Sequence, residues 1–387
     1  MHPYAIGGEP AARAVYVHVP FCRHRCGYCN FTVVAGRDDL FVAYLDALER
    51  EMSWQGQPAE VDAIFLGGGT PTHLPLPHLQ RLLTAVRRWF PPVGDYEWSV
   101  EANPADIDTA KADLLAEFGI NRISLGAQSF DAVKLSVLER DHRSDEIHNA
   151  VEICRGRFAS VSLDLIFGAP GETLDRWQAD LATALSLAPD HLSTYGLTYE
   201  LGTTFWGRRL RGELTSVAED VERAMYETAI DTLTTAGFEH YEVSNFARPG
   251  RRCRHNEVYW SGRRYFAVGP GAARYVGNTR QCNHRSTFTY LRRVLSDQSP
   301  VAESETLNAE EQAREKLVLA LRTMDGVSPS AFEADTGYSV EELAGAAIQR
   351  YVDWGLLAMD GGRLRLTRAG LFVSDSLWPE ILRPARG

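Results

Sequence analysis

Cysteines 22, 26 and 29 sit in one short run, Cys-Arg-His-Arg-Cys-Gly-Tyr-Cys, directly after the apolar stretch 15–19 and the pair Pro20-Phe21. Thiols this close cannot staple distant elements. A disulfide framework also belongs to secreted chains much smaller than one of 387 residues. The spacing C-x3-C-x2-C instead places three thiolates on a single loop at the end of a buried strand. Structural zinc usually takes four protein ligands, and neither His18 nor His24 stands at a zinc-ribbon spacing from the thiols. Three thiolates suit a [4Fe–4S] cube, which leaves one iron open to an outside ligand. A degraded zinc knuckle or a chance cluster is the alternative reading.

The rest of the chain supplies a context for that loop. Up to about residue 240, short apolar runs at 15–19, 61–66, 96–100, 122–125, 161–167 and 192–197 alternate with amphipathic stretches at 39–52, 106–118, 174–187 and 218–236. This rhythm predicts an α/β fold of buried parallel strands joined by right-handed helical crossovers, either a partly open barrel or a doubly wound sheet. Such folds build their sites at the carboxyl ends of the strands. At those ends stand Gly67-Gly68-Gly69-Thr70-Pro71-Thr72, then Glu101 and Asn103, Gly126 and Gln128, Asp164 and Gly168, and Thr198 and Glu200. Singly, each reads as a turn or a helix cap; in succession beside three thiols they predict one polar site. The glycines are expected to let backbone N–H groups approach a small polar molecule. An open cluster iron can be chelated by the amino and carboxylate groups of S-adenosylmethionine, and electron transfer then breaks the sulfonium to give a radical.

The chain divides by pattern into 1–240, 241–305 and 306–387. The middle segment is rich in aromatics, strand-like pieces and arginine (Arg248, Arg251, Arg252, Arg254). From 306 onward a helix-turn-helix pattern leads to an amphipathic stretch at 341–354, a stop at Gly355, and a hairpin of 356–359 with 363–366 around Asp360-Gly361-Gly362. That order predicts a winged-helix-like unit. A nucleic-acid reader is the weaker expectation for it, because Arg363, Arg365 and Arg368 are outnumbered by Glu310, Glu311, Glu333, Asp335, Glu341 and Glu342. Across the chain 51 acidic residues face 40 Lys and Arg, a net charge of -11 that argues against wholesale coating of nucleic acid or anionic membrane. No apolar run reaches the roughly 20 residues of a membrane span. The opening MHPYAIGGEP lacks the layout of a secretory signal, so a cytoplasmic protein is expected.

The string Tyr16-Val-His-Val-Pro-Phe-Cys22-x3-Cys26-Gly-Tyr-Cys29, with Gly67-Gly-Gly-Thr-Pro-Thr72, resembles the radical S-adenosylmethionine superfamily. More narrowly it resembles the group that holds the oxygen-independent coproporphyrinogen III oxidases and the HemW haem chaperones, over nearly the whole chain. The resemblance implies a partial (β/α)6 barrel with a C-terminal α+β region ending in a winged-helix-like domain. It implies Cys22, Cys26 and Cys29 as cluster ligands and Tyr16, Tyr28, Gly68 and Glu101 as contacts of S-adenosylmethionine. Gly69, Thr70, Gln128, Arg140 and Asp164 match positions that hold a second such molecule in the oxidase. The oxidase's fourth cysteine is absent, since Asn30 and Phe31 follow Cys29; the chaperones usually carry Asp where Asn30 stands.

The run His255-Asn256-x-x-Tyr259-Trp260 resembles the HNxxYW motif associated with haem handling. Imidazole ligates haem iron, aromatic faces stack on the macrocycle, and guanidinium groups pair with propionates. Without the resemblance, the same residues read as an aromatic-rich strand with a solvated basic edge. Cys253 and His284 are expected as alternative haem ligands, Cys154 and Cys282 as packed thiols, and His73 and His78 as surface residues beside a helix start. The function so implied is a haem chaperone that passes haem to an acceptor protein, such as a respiratory haem enzyme. An electron donor protein joins if S-adenosylmethionine is cleaved. The alternative is radical oxidative decarboxylation of coproporphyrinogen III.

Overall fold

Along the first strand, β1 (Ala14–Val19), Val15, Val17 and Val19 are fully buried, and the intervening Tyr16 and His18 point to the opposite face. The period of two fixes which face meets the helices. The computed structural model describes residues 12–383; the opening MHPYAIGGEP lies outside them. β2 (Val61–Gly68), β3 (Pro92–Ala102), β4 (Arg122–Gln128), β5 (Ser160–Phe167) and β6 (His191–Gly196) continue the sheet in parallel, each paired with its predecessor. Their outward residues, among them Ile64, Trp98, Ile123, Leu163 and Leu192, share one core with the helices Phe41–Ser53, Leu76–Trp89, Leu174–Ser186 and Glu219–Thr235. Each fully buried aliphatic side chain of that layer contributes roughly 1.5–3 kcal/mol. The inward face is polar instead: Glu97, Ser99, Arg122, Ser124, Ser162 and His191 are all buried there.

The segment 241–305 is not a separate unit. β8 (Asn245–Ala247) adds antiparallel to β6, β7 (Glu239–Glu242) adds antiparallel to β8 at the sheet's edge, and β9 (Phe266–Val268) adds parallel to β1. The sheet therefore has nine strands in the order β9-β1-β2-β3-β4-β5-β6-β8-β7. The helix Thr287–Leu295 buries Tyr290, Leu291 and Val294 in the main core. A buried carboxylate ties it down: Glu51 accepts from Tyr290 Oη (2.6 Å), Asn283 Nδ2 (2.7 Å) and Gly269 N (2.8 Å). A small antiparallel sheet of Ala273–Val276, Thr279–Asn283 and Val301–Thr306 follows.

The last segment has its own core, with Leu317, Leu321, Leu343, Tyr351 and Ile381 buried among the helices Ala309–Leu321, Val340–Asp353 and Ser374–Leu382. Its hairpin pairs Leu357–Asp360 with Arg363–Leu366. The wing's arginines are engaged: Arg363 with the carbonyls of Asp325 and Gly326, Arg365 with Asp360, and Arg368 with Asp231. None of the helices among the described residues is long and apolar enough to cross a membrane.

Two expectations need correction. The stretch 106–118 is not one helix; a single turn at Pro104–Asp106 precedes the helix Thr109–Glu117, because the Asp108 side chain caps Lys111 N at 2.8 Å and starts a new helix there. The run 254–260 is a helix rather than a strand. His255 and Tyr259 thereby share one face at i, i+4, with His255 Nε2 and Tyr259 Oη 2.8 Å apart.

Candidate cluster and cofactor site

The thiol loop is held by its own apolar residues. Phe21 is buried edge-on against Phe41 and Tyr44, at 4.8 and 5.2 Å between ring centres. Phe21–Cys22 pairs with Val34–Ala35, Val34 N donates to Pro20 O at 2.7 Å, and a turn brings Cys29 N to Cys26 O at 3.0 Å. Gly27 passes so close to Phe205 that a Cβ would lie 2.4 Å from its ring. The loop therefore leaves the strand, turns, and returns with all three thiols half-exposed and unpaired. They border one cavity of about 900 Å3 at the carboxyl ends of the strands.

The same cavity is bordered by Tyr28, Gly68, Gly69, Thr70, Glu101, Gln128, Arg140 and Asp164, with Thr70 Oγ1 3.5 Å from Cys22 Sγ. Thus every S-adenosylmethionine position expected from the resemblance lines it except Tyr16. Tyr16 instead lies within the barrel, with its hydroxyl 3.0 Å from His18 Nδ1. The glycine turn works differently from expectation. The N–H of Gly68 donates to Glu101 Oε2 (2.9 Å), that of Gly69 to Val19 O (2.8 Å) and that of Thr70 to Phe21 O (2.7 Å). These amides are engaged within the protein. What the glycines provide is clearance: at Gly68, φ is +107° and a Cβ would lie 2.3 Å from the His18 ring, and at Gly69 a Cβ would lie 2.6 Å from Phe21 O.

Charge is arranged around the cavity with equal economy. Burial, reinforced by Asp164, lifts the Glu101 carboxyl to about 7. Burial likewise raises Asp164, although Ser193, Arg122 and Ser124 oppose it; Ser124 Oγ lies 3.0 Å from both of its oxygens. Two carboxylates that burial keeps from ionising freely are relieved by a cation between them. Arg140 Nη1 approaches Cys26 Sγ at 3.5 Å while its Nη2 donates to Gly126 O at 3.0 Å. Gln128 has φ +63°, an uncommon left-handed conformation for a side-chain-bearing residue. Burial pushes the Cys22 thiol up to about 12 and raises Cys29 as well.

These groups fit an iron–sulfur cluster with S-adenosylmethionine beside it. No three His, Cys, Asp or Glu side chains among the described residues are grouped as ligands of a single metal ion; the three thiols all border the one cavity. The sulfonium and ammonium charges of S-adenosylmethionine match the carboxyl pair of Glu101 and Asp164. Residues that sequence reasoning missed also border this space: Tyr195 and Glu222 from the barrel, Arg285, and Arg322 and Asp375 from the C-terminal segment. No local pattern marks them, since long-range packing alone brings them there.

The motif helix Arg254–Trp260 lies apart from that cavity. His255 is 1% exposed, stacked on Phe65 at 5.1 Å and edge-on to Tyr259 at 4.8 Å, and burial lowers its pKa to about 3. As placed, its imidazole is inaccessible to a tetrapyrrole. Asn256, Tyr259 and Trp260 are half-buried, and Trp260 is covered by Arg322 at 5.2 Å. Arg252 is paired with Asp325 and Glu239, and Arg254 with Asp95, so the flanking basic edge is largely neutralised internally. Cys253 is buried, its Sγ 3.6 Å from Glu97 Oε1, which removes it as a haem ligand in this arrangement. His284 borders neither this cavity nor the one at the other end of the barrel. Cys154 is a fully buried packed thiol and Cys282 a half-buried one. His73 and His78 are not free surface residues; both rings pack against Phe41.

Comparison with known proteins agrees with this geometry. The family model of the radical SAM superfamily matches residues 16–184, and that of the HemN C-terminal domain matches 307–373. The chain is similar to the haem chaperone HemW of Bacillus subtilis, at 35% identity over 96% of this chain and 99% of that one. It is also similar to HemW of Mycobacterium tuberculosis, at 36% identity over 97% and 95%. The mitochondrial radical S-adenosyl methionine domain-containing protein 1 of Danio rerio is 32% identical over 95% and 86%. Among solved structures, coproporphyrinogen III oxidase (HemN) from Escherichia coli superposes with a TM-score of 0.84 at 22% identity, covering 95% of this chain and 89% of that one. That last likeness fixes the fold.

Proposed function

Since the chain belongs to the HemW haem-chaperone family of the radical S-adenosylmethionine superfamily, we propose that it binds haem and delivers it to an acceptor protein. The observation that carries the reading is the convergence of three loop thiols with Glu101 and Asp164 on one cavity, in a chain matched from end to end by haem chaperones. Cys22, Cys26 and Cys29 hold a [4Fe–4S] cluster; Tyr28, Gly68 and Glu101, with Gly69, Thr70, Gln128, Arg140 and Asp164 around them, hold S-adenosylmethionine. When bound, the cluster supplies an open iron for the amino and carboxylate groups of that ligand and an electron for its sulfonium. Glu101 and Asp164 orient the cationic part, and Arg140 steadies the thiol loop through Cys26. Tyr16 acts from behind, by setting the His18 ring against Gly68. His255 buttresses the motif helix through Tyr259, and Asn256, Tyr259 and Trp260 present that helix to the cargo. The acceptor is a haem enzyme, and an electron donor protein is required if the sulfonium is broken. Six unpaired cysteines suit a reducing cytoplasm.

The test is anaerobic cluster reconstitution, then haemin titration followed by mixing with a haem-free acceptor enzyme. Binding seen as a Soret shift, with transfer of haem to the acceptor, is expected. Replacing the three cluster cysteines by serine should abolish iron loading. Conversion of coproporphyrinogen III to protoporphyrinogen without haem transfer would overturn the assignment.

A further inference from the structure

A second cavity, of about 650 Å3, opens at the amino-terminal end of β1, bordered by Arg13 and Ala14. It shares no lining residue with the thiol-bordered cavity. From this cavity's chemistry we infer that it seats the haem cargo, held by the porphyrin face and its two carboxylates rather than through iron ligation by His255. The inference rests on the haem-chaperone reading above and adds the place where the cargo sits.

The volume falls within the roughly 300–1,000 Å3 of small-molecule sites. Three tyrosines border it: Tyr259 from the motif helix, Tyr265 just before β9, and Tyr275 from the strand Ala273–Val276. Tyr275 is buried beneath Arg264 and Arg280, so the half-buried rings of Tyr259 and Tyr265 are the ones that offer a planar ligand an aromatic surface. The charge is unusual for this protein. Five Arg and Lys side chains border the cavity against two acids, in a chain whose net charge is -11. Three of those cations already have carboxylate partners: Arg280 pairs with Glu315 at 2.6 Å, Arg13 with Asp62 at 2.9 Å, and Lys316 with Asp335. The remaining two are adjacent in sequence. Arg263 makes one long hydrogen bond, to Ser261 Oγ at 3.3 Å. Arg264 bonds Gln312 Oε1 at 2.6 Å and the Gly277 carbonyl, and lies over Tyr275 at 4.5 Å. Neither has a carboxylate partner among the described residues. Two guanidinium groups free of carboxylates, beside the edge-to-face pair Tyr259 and Tyr265, match a flat molecule carrying two propionates.

The same geometry excludes His255 as a partner of that ligand. Its Nε2 faces Tyr259 Oη and its ring is stacked on Phe65 inside the barrel. No His, Cys or Met borders the cavity. Tyrosine is the remaining iron-ligating type on the lining, and two of the three phenol oxygens are already engaged, Tyr259 Oη with His255 Nε2 at 2.8 Å and Tyr275 Oη with Gln312 Oε1 at 3.3 Å. Binding without a strong axial ligand suits a carrier that must give its cargo away.

The experiment uses the full-length, anaerobically reconstituted protein, titrated in parallel with haemin and with metal-free protoporphyrin IX. Both should bind, with dissociation constants within about threefold of each other, since the porphyrin and not the metal carries the contact. Arg263→Glu reverses an exposed cation, and Ala309→Trp fills the exposed rim; each should weaken both ligands by about tenfold or more, with cluster iron content unchanged. Haemin binding that is unaltered in both variants, or that excludes the metal-free porphyrin, would overturn the cavity assignment while leaving the chaperone reading in place. A wild-type protein that binds neither ligand would remove both.

Discussion

Glu101 shows how far a single carboxyl can be asked to serve two ends. Its pKa stands near 7 because burial disfavours the charge and Asp164 opposes it. A carboxyl raised in the folded state holds its proton more tightly there than in the unfolded chain. The associated stability is present below the unfolded value near 4.5 and is lost as pH climbs through 7. At 1.36 kcal/mol per unit the limit is near 3 kcal/mol, and the side chain's access to the cavity reduces this to about 1–2. Glu101→Gln keeps an oxygen to accept from Gly68 N and removes the charge. The apoprotein variant should therefore be about 1–2 kcal/mol more stable than the parent at pH 8 and no more stable at pH 4.5, as read by urea unfolding at both values. Its affinity for S-adenosylmethionine should fall at the same time, because the cation loses its counter-charge. Equal pH dependence in the two proteins would show that Glu101 ionises freely. The identity of this residue was legible from its place after the third strand-like run; its protonation was not, because Asp164 reaches it only through the closure of the sheet.

At the scale of elements, the six barrel strands could be read because apolar residues recur in them, at every second position or closer in the first five, and the runs are short. The motif helix could not be read in that way. Its first turn is capped from far away, by Glu97 Oε1 on β3, which accepts from Arg254 N at 3.1 Å, so the local residues carry no helix-start signal. Aromatic side chains around 255–260 then suggest a strand. The turn after β4 is a second case. Lys134 is buried and pairs with Glu172 at 2.5 Å and Asp180 at 3.0 Å, and Asp180 in turn accepts from Ser129 Oγ and Phe130 N. These bonds brace the backbone just after Gln128, whose φ is +63°. Lys134→Met removes the one cation and leaves two buried acids unmatched, which should cost about 3–5 kcal/mol. The measurement is the urea midpoint of the apoprotein; a loss below about 1 kcal/mol would mean that the buried lysine is not what holds this turn. Weaker S-adenosylmethionine binding by the folded variant is expected to accompany the loss, since Gln128 is no longer held.

At the scale of the whole molecule, the two largest cores meet across a seam rich in ion pairs. One core lies between the sheet and its helices, and the other belongs to the segment from Ala313 to Ile381. Across the seam, Arg368 pairs with Asp231 at 2.6 and 2.9 Å, Arg252 with Asp325, Arg322 lies over Trp260, and Phe372 meets Tyr226 edge-on at 5.7 Å. A winged-helix-like end could be anticipated from its pattern, but not that Arg322 and Asp375 reach from it to the cluster-side cavity. Surface ion pairs each contribute little and are screened by salt, so the cores are coupled chiefly by apolar contacts: Leu371, which is buried in the larger core, and the partly buried Met324 and Leu366 that pack against it. Unfolding in urea should then depart from a single two-state step. Trp378 is buried in the smaller core, Trp354 packs on Tyr351 beside it, and Trp98 and Trp177 are buried in the larger, so fluorescence of a Trp354→Phe, Trp378→Phe double variant follows the barrel's transition, and its difference from the parent follows the smaller core's. The smaller core should melt first, and raising salt from about 0.05 M to about 0.5 M should widen the gap by weakening the seam. Leu371→Ala should widen it further, since the deletion costs about 2–5 kcal/mol at the buried member of that apolar bridge. Coincident transitions at both salt concentrations, in parent and variant alike, would mean that the seam transmits enough energy to make the two cores one cooperative unit.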